Sequence, residues 1–300
     1  MEKVINRLFI VLLTFSVAGL FGGCSGDEDP KDKAVKTIST EEPTEYSEVK
    51  KEMLHFVDAH GKWYDVDIDT DVAKHEYDWK YLVNDGQNIS YEGNPSYQIR
   101  KGVDVSKYQG DIDWNAVKAD GYEFAIIRIG FRGYGQNGEM KEDERFKEYI
   151  KGAHAAGMDV GVYFFSQAIS VVEAIEEAEF VIDKLEGEEL ELPVAFDPEL
   201  IQNDVARTDD VSGEQFTQNA IAFCEKIKEA GYKPMIYSNM YWEAFLFDMS
   251  RLADIPIWYA DYELEPQTPY KFEYWQFTEK GKVSGIANEC DIDIQFIEVP

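Results

Sequence analysis

Residues 193–199 read Pro-Val-Ala-Phe-Asp-Pro-Glu, an apolar run that ends in two carboxylates. A continuous apolar run of this length is typical of a strand that is buried on both faces, as in a parallel sheet. Similar runs lie on both sides of it, and amphipathic stretches with helical spacing separate most of them. The predicted strands are residues 102–106, 124–130, 160–166, 193–199, 234–239, 255–262, 272–278 and 289–296.

The connections between the first six strands carry helix signals, whereas the last two connections are short. Ser170 with Glu173, and Ser212 with Gln215, have the spacing of a capping box at a helix start. The last two strands each follow after only about ten residues, and a parallel crossover with its helix needs about a dozen or more. We therefore predict an α/β fold: a modified TIM-like barrel of about eight strands and five helices, (β/α)5(β)3.

The composition excludes several classes of function. The chain has 300 residues, 44% of them hydrophobic, which is enough for a large core. Its 59 Asp and Glu residues against 29 Lys and Arg residues give a formal charge of -30, so a nucleic acid would be repelled over most of the surface. Three cysteines cannot form a disulfide framework. Cys224 has the spacing of a core residue on a helix, and a bond between Cys224 and Cys290 stays open as an alternative.

The first residues have the pattern of an export signal. Lys3 and Arg7 precede an apolar stretch, residues 8–20, that is shorter than the roughly 20 residues a permanent membrane helix needs. Residues 20–24, Leu-Phe-Gly-Gly-Cys, resemble the lipobox of bacterial lipoproteins, and this resemblance implies that Cys24 carries the lipid. The alternative is an ordinary secretory signal with an incidental cysteine.

The predicted location follows from this signal. The acidic run at residues 27–29 resembles the surface-export signals of some Gram-negative lipoproteins, and a solvated acidic linker is the alternative. We expect an exported lipoprotein that is tethered to the outer membrane of a Gram-negative-type cell and exposed at its surface.

Composition shifts along the chain predict four segments. Residues 1–23 are the lipoprotein signal peptide, and residues 24–50 have too few periodic apolar residues to be more than a lipid-anchored flexible linker. Residues 51–98 contain short alternating runs with turn signals, which predict a small β-rich module. Residues 99–300 form the predicted barrel.

Alternating aspartates in this module resemble part of a calcium-binding loop. Asp65, Asp67, Asp69 and Asp71 have the spacing of such a loop, but Thr70 stands where the sharp turn requires glycine. A strand with the aspartates on its solvent-facing side explains the same pattern. We predict no metal site.

The two carboxylates that end residues 193–199 have a spacing suited to proton transfer. In a barrel of this kind the chemistry lies at the carboxyl ends of the strands. Asp197 and Glu199 are two residues apart, so an extended chain projects them to the same side. Each opposes the ionisation of the other, and the pair retains one proton near neutral pH. The alternative is a helix start at which acids favour the dipole.

Several short motifs occur in order along the predicted barrel. They are Val-Asp-Val-Ser at 103–106, Gln-Gly at 109–110, Asp-Trp at 113–114, Asp-Pro-Glu at 197–199, Ile-Tyr-Ser-Asn at 236–239, Ile-Trp-Tyr-Ala-Asp-Tyr at 257–262, Trp-Gln at 275–276 and Cys-Asp-Ile-Asp at 290–293. Taken in this order, they resemble glycoside hydrolase family 25, the lysozymes that act as N-acetylmuramidases. The resemblance runs from about residue 102 to residue 296 and does not extend to residues 53–97.

This resemblance implies roles for individual residues. Glu199 is the general acid, Asp197 is its partner, and Asp104 and Asp291 are further acids of the cleft. The departures from the family's common residues, at Pro198, Tyr259 and Asp293, remove no matched carboxylate. The implied sugar-binding residues are five aromatic side chains, each of which could instead be barrel packing, and one polar neighbour: Tyr163, Phe165, Tyr237, Trp258, Trp275 and Gln276.

The function implied is hydrolysis of the β-1,4 bond between N-acetylmuramic acid and N-acetylglucosamine in peptidoglycan, with no cofactor. Substrate-assisted retention and direct attack of water with inversion both stay open as mechanisms. The alternatives in function are a chitinase-like hexosaminidase and a wall-binding protein that does not cut. The expected partners are peptidoglycan glycan strands and, through Cys24, a membrane. We expect a monomer.

The direction of the last strand is a separate prediction, because Asp291 lies near its start. A strand parallel to residues 102–106 would begin at the floor of the barrel, far from Asp104 and Glu199. If Asp291 belongs to the site, residues 290–296 should therefore run antiparallel to the first strand.

Overall fold

The computed structural model describes residues 52–299, all of which fall in one compact unit. The predicted signal peptide, the lipid-carrying Cys24 and the linker lie outside the described residues. No helix in the described part of the chain is long and apolar enough to span a membrane.

Two short antiparallel hairpins form the described N-terminal part. Strand β1 (Met53–Val57) pairs with β2 (Trp63–Asp67), and β3 (Leu82–Asn84) pairs with β4 (Ile89–Tyr91). Along β2 exposed and half-buried residues alternate, with the aspartates on the exposed side, as the strand interpretation predicts.

The chain then forms a closed eight-stranded barrel. Its strands are β5 (Tyr97–Val105), β6 (Tyr122–Arg132), β8 (Asp159–Ser166), β9 (Val194–Pro198), β10 (Pro234–Asn239), β11 (Ile257–Ala260), β12 (Tyr274–Gly281) and β13 (Cys290–Glu298). Pairing of β5 with both β13 and β6 closes the barrel. A short strand β7 (Met140–Glu142) pairs antiparallel with the end of β6.

The pairing confirms the predicted direction of the last strand. Strands β5, β6 and β8 to β12 pair in parallel, whereas β13 is antiparallel to both of its neighbours, β12 and β5. Asp291, at the start of β13, is therefore the register partner of Asp104, at the end of β5.

Six helices surround this barrel in the described residues. They are α1 (Trp114–Ala119), α2 (Phe146–Ala155), α3 (Val171–Leu185), α4 (Gly213–Glu229), α5 (Met240–Phe245) and α6 (Met249–Leu252). The predicted caps are present, because Ser170 accepts a hydrogen bond from the Glu173 amide and Ser212 from the Gln215 amide. The predicted modified TIM-like barrel is confirmed. It has six helices where about five were predicted, and one of the six, α6, is a single short turn.

Alternation along the strands separates two apolar regions. The outward faces pack against the helices in the larger region. The inward faces fill the floor of the barrel, where Phe124 packs against Tyr274. Gly102 is required beside this floor, because a Cβ there would lie 2.2 Å from the Phe124 ring. The floor is therefore closed by apolar side chains.

Candidate active site

Four carboxylates from three strands meet at the mouth of the barrel. Asp104 lies near the end of β5, and Asp291 lies near the start of β13. Asp197 lies near the end of β9, and Glu199 directly follows that strand. The negative charge of Asp291 acts on each of the other three acids, which raises their pKa values. The structure thus brings together all four acids that the sequence motifs singled out.

Asp104 and Asp291 share a proton across the β5 and β13 pair. Asp104 is 3% exposed, and burial first, then the charge of Asp291, raises its pKa well above the ordinary value. Asp104 donates a hydrogen bond to Asp291, which opposes the effect of burial on the Asp291 pKa and leaves that pKa at about 6. Gln276 Nε2 also donates to Asp104 Oδ2 at 2.8 Å. The Gln276 bond lowers the pKa of Asp104, but burial and the charge of Asp291 raise it, and the net direction favours the protonated form of Asp104.

Asp197 and Glu199 form the second pair. Asp197 is buried, its Oδ1 has no hydrogen-bond partner among the described residues, and burial followed by the charge of Glu199 raises its pKa. Enclosure by protein, and then the charge of Asp291, raise the pKa of Glu199 to about 7. Glu199 is nevertheless exposed, and contact with solvent weakens the effect of enclosure. For proton transfer by Glu199, what matters is that the pKa is shifted upward.

Arg128 is a cation of this site that the sequence analysis missed. Its Nε donates to Asp143 Oδ2 at 2.8 Å, and its guanidinium lies 5.1 Å from the centre of the Tyr108 ring. The positive charge of Arg128 lowers the pKa values of Asp197 and Glu199, against the effect of burial. The signal was an arginine inside the apolar run at residues 124–130.

Three of the five predicted sugar-binding aromatic residues lie in or beside the cleft. Tyr163, Phe165 and Tyr237 are half-buried, and Phe165 is the register partner of Asp197. Trp258 is only 1% exposed, lies edge-on to the rings of Tyr163 and Tyr237, and donates from Nε1 to Asp293 Oδ1 at 2.7 Å. Trp258 therefore packs under the cleft, where no sugar can stack on it.

The assignment of Trp275 to the cleft is corrected by the structure. Its side chain is fully buried, lies in the apolar region between barrel and helices, and donates from Nε1 to the Asp261 carbonyl at 2.7 Å. The physical reason is the alternation of a strand, since the neighbouring Gln276 points into the barrel.

Gln276 joins two tyrosines to the acids, and one of these tyrosines was not predicted. The hydroxyls of Tyr237 and Tyr262 donate to Gln276 Oε1 at 2.9 and 3.0 Å, while the Gln276 amide donates to Asp104. Tyr262 is 40% exposed at the mouth, and burial of its hydroxyl and the charge of Asp291 raise its pKa. Tyr262 thus presents a partly open ring beside the acids, as a sugar platform requires.

Gln167 holds the backbone at the end of β9. Its Nε2 donates to the Glu199 carbonyl at 2.7 Å, and its Oε1 accepts from Thr208 at 3.0 Å. Gln167 therefore fixes the turn that carries Glu199. No sequence pattern pointed to Gln167.

No group of three or more His, Cys, Asp or Glu side chains in the described residues could hold a metal ion. The alternative of a disulfide is not realised, since Cys224 and Cys290 are both buried free thiols.

Comparison with known proteins decides the family. The sequence profile of the glycosyl hydrolases family 25 matches residues 103–286, which is more than half of the chain. The chain belongs to glycosyl hydrolase family 25. The match includes most of the barrel and excludes the two N-terminal hairpins.

Individual relatives of this family 25 chain are lysozymes. The chain is 28% identical to the autolytic lysozyme of Clostridium acetobutylicum over 196 residues, which is 64% of this chain and 55% of that protein. It is 25% identical to lysozyme M1 of Streptomyces globisporus over 201 residues, 64% of this chain and 66% of the relative. The chain thus spans less than two thirds of the length of either relative.

Solved structures agree with the fold. The family 25 glycosyl hydrolase of Bacillus anthracis has a TM-score of 0.54 at 25% identity, with 65% of this chain and 88% of that chain covered. The lysozyme of Streptomyces coelicolor has a TM-score of 0.55 at 24% identity, covers 65% of this chain and 90% of its own, and supports the fold alone.

Proposed function

We propose that this protein is a peptidoglycan hydrolase that cleaves the β-1,4 bond between N-acetylmuramic acid and N-acetylglucosamine. The observation that carries the proposal is the pairing of Asp197 and Glu199 at the mouth of a family 25 barrel, with both pKa values raised. A protonated Glu199 can donate to a leaving oxygen, while the unpartnered Oδ1 of Asp197 is free to accept a hydrogen bond from the sugar.

In the substrate-assisted route, Glu199 gives its proton to the glycosidic oxygen as the bond from that oxygen to C1 breaks. The 2-acetamido oxygen of the same sugar attacks C1, and Asp197 orients the acetamido group and stabilises the positive charge that develops. Water then attacks C1 as the bond from C1 to the acetamido oxygen breaks, which restores the acetamido group, and one proton of the water passes to Glu199. Because Asp197 lies only two residues from Glu199, we favour this route over attack by water from the side of Asp104 or Asp291.

The decisive experiment identifies the new reducing ends. Purified peptidoglycan is digested, the ends are reduced with borohydride, and the products are identified by mass spectrometry. We expect reduced muramic acid ends with the wild type and none with Glu199→Gln. Reduced glucosamine ends would contradict the bond assignment, and release of products from chitin oligomers would favour a hexosaminidase. Protein that binds sacculi without lowering their turbidity would favour a pure binder.

The proposal includes a membrane tether. The apolar stretch at residues 8–20 and the Leu-Phe-Gly-Gly-Cys sequence at residues 20–24 support lipidation of Cys24 after cleavage, with attachment to the outer membrane. Cys24→Ala should move the protein from the membrane fraction to the soluble exported fraction. Equal membrane recovery of the variant and the wild type would contradict the tether. The purified protein without the lipid is expected to sediment as a monomer.

A further inference from the structure

The connection between β11 and β12, residues 261–273, begins at the mouth of the barrel, returns to the opposite end because the two strands are parallel, and contains no helix or strand. We call it the mouth connection. Tyr262 lies at its start, and the Tyr262 hydroxyl reaches Gln276, which in turn contacts Asp104. The internal hydrogen bonds of the mouth connection are local, from the Glu263 and Gln267 amides to Asp261 and from the Tyr270 amide to Thr268, so its position also depends on contacts with other parts of the chain.

The N-terminal hairpin holds this connection through one glutamine. Val57 donates its amide to Gln267 Oε1 at 2.8 Å, and Gln267 Nε2 donates back to the Val57 carbonyl at 2.9 Å. The Gln267 side chain therefore pairs with Val57 as a neighbouring strand would. Its own amide donates to Asp261 Oδ2 at 2.9 Å, which ties this contact to the residue next to Tyr262.

Five other hydrogen bonds join the N-terminal residues to the mouth connection, and two of them run from the Asp69 amide to the Tyr270 hydroxyl at 2.9 Å and from the Tyr77 hydroxyl to the Phe272 carbonyl at 2.6 Å. The connection is held by backbone bonds from His75 to the Pro269 carbonyl at 3.2 Å and from Lys271 to the Ala73 carbonyl at 2.9 Å. In the second hairpin, Asn84 Nδ2 donates to the Leu264 carbonyl at 3.2 Å. Residues from both hairpins and from the stretch between them thus contact the mouth connection along most of its length.

We propose that residues 53–91 are a brace that fixes the mouth connection and so positions Tyr262 as part of the glycan-binding cleft. Gln267 and Asn84 are positioning residues, because they act on Tyr262 through the backbone. This brace lies outside the residues 103–286 that match the family. A cleft wall that is ordered before binding spares the glycan the entropic cost of ordering it. The binding part of this inference rests on the proposed function.

The test measures how KM changes when side-chain contacts of the brace are removed, first in the wild-type protein and then in a Tyr262→Ala background. Gln267→Ala with Asn84→Ala removes the contacts of these two side chains and leaves Tyr262 in place. We expect KM for a soluble peptidoglycan oligosaccharide to rise roughly threefold to tenfold, the range expected for a few lost hydrogen bonds, with kcat within about twofold. In a Tyr262→Ala background the same pair of changes should alter KM by less than about 1.5-fold, because its effect passes through Tyr262.

Gln218→Ala is the matched control, since Gln218 is half-buried on α4 and its side chain hydrogen-bonds, among the described residues, only to Glu214. It should leave KM unchanged. An equal increase in KM with and without Tyr262, or no increase in either background, would overturn the proposal.

A second measurement does not depend on activity. The amides of Glu263 and Gln267 both donate to Asp261, and their hydrogen exchange should accelerate in the Gln267→Ala, Asn84→Ala variant while residues 102–105 of β5 keep their protection. Equal acceleration in β5 would show a general loss of stability and would overturn local bracing. If the wild type proved inactive on glycan, the proposed function would fail, and this exchange experiment would still decide the brace.

Discussion

Two acids with raised pKa values occupy very different surroundings in this barrel. Glu177, on α3, is fully buried, and both of its oxygens are occupied: Arg132 Nε donates to Oε1 at 2.7 Å and Ser166 Oγ donates to Oε2 at 2.6 Å. Glu199, at the mouth, accepts no side-chain hydrogen bond from the described residues. Burial raises the pKa of Glu177 to about 7, and enclosure raises that of Glu199 to about 7 as well.

The raised pKa therefore does not by itself separate a structural acid from a catalytic one. What separates them is whether the carboxylate oxygens are free. Both carboxylate oxygens of Glu177 already accept hydrogen bonds from Arg132 and Ser166. The carboxylate of Glu199 and the Oδ1 of Asp197 remain available to bind a substrate. Four predictions test this difference.

The largest effect is expected for Glu199→Gln. Removing the proton donor should lower kcat on peptidoglycan by about 10² to 10⁴, while binding to sacculi is retained. Glu177→Gln is the matched control, and its kcat per folded molecule should stay close to that of the wild type. Turnover by Glu199→Gln above about a tenth of the wild-type rate would contradict the assignment of the acid.

Asp197→Asn should cause the next largest loss, because the amide carries no negative charge to stabilise the developing positive centre. We expect kcat to fall by about 10² to 10³. Asp183→Asn makes the same chemical change at an exposed residue that pairs with Lys184, and it should leave kcat unchanged. If both variants behaved alike, Asp197 would have no role in the chemistry.

The pH profile should move when the cation beside the acids is removed. With Glu199 as the acid, kcat/KM falls as pH rises through about 7. Since Arg128 lowers the pKa values of Asp197 and Glu199, its loss should move this alkaline limb to higher pH, by about one unit. The variant is Arg128→Gln with Asp143→Asn, which avoids leaving the Asp143 charge buried and unpaired.

Arg145→Gln controls for that experiment, because Arg145 pairs with Asp111 and Glu148 on the surface. Its pH profile should match that of the wild type. An alkaline limb that stays in place after the loss of Arg128, or moves to lower pH, would show that Arg128 does not act on the acid pair.

The barrel and its acids were predictable because they depend on local pattern. Apolar runs gave the strands, and the position of Asp291 at the start of its strand required an antiparallel return, which the β13 pairing confirms. The prediction that Trp275 and Gln276 both face the cleft was wrong, although strand alternation excludes it. The two residues are neighbours, and neighbours on a strand face opposite sides.

Other features depend on contacts between distant parts of the chain. Gln267 meets Val57 across 210 positions, and Gln167 meets the Glu199 carbonyl across 32. Neither glutamine has a neighbour in sequence that signals its partner. Tyr262 lay inside a recognised motif, but its contact with Gln276 depends on the pairing of β11 with β12, which sets Ala260 opposite Gln276. Only the folded chain shows such pairings.

The smallest expected effect concerns stability and the occupied acid. The pKa of Glu177 is about 7 when folded and near its ordinary value of 4.5 when unfolded, so its contribution to stability is fully present below about 4.5. That contribution is lost as pH rises through about 7. Glu177→Gln removes the titrating group, so the fall in Tm between pH 5 and pH 8 should be shallower than in the wild type. An unchanged slope would mean that the bonds from Arg132 and Ser166 already cancel the effect of burial, and Glu177 would then be ionised throughout this range.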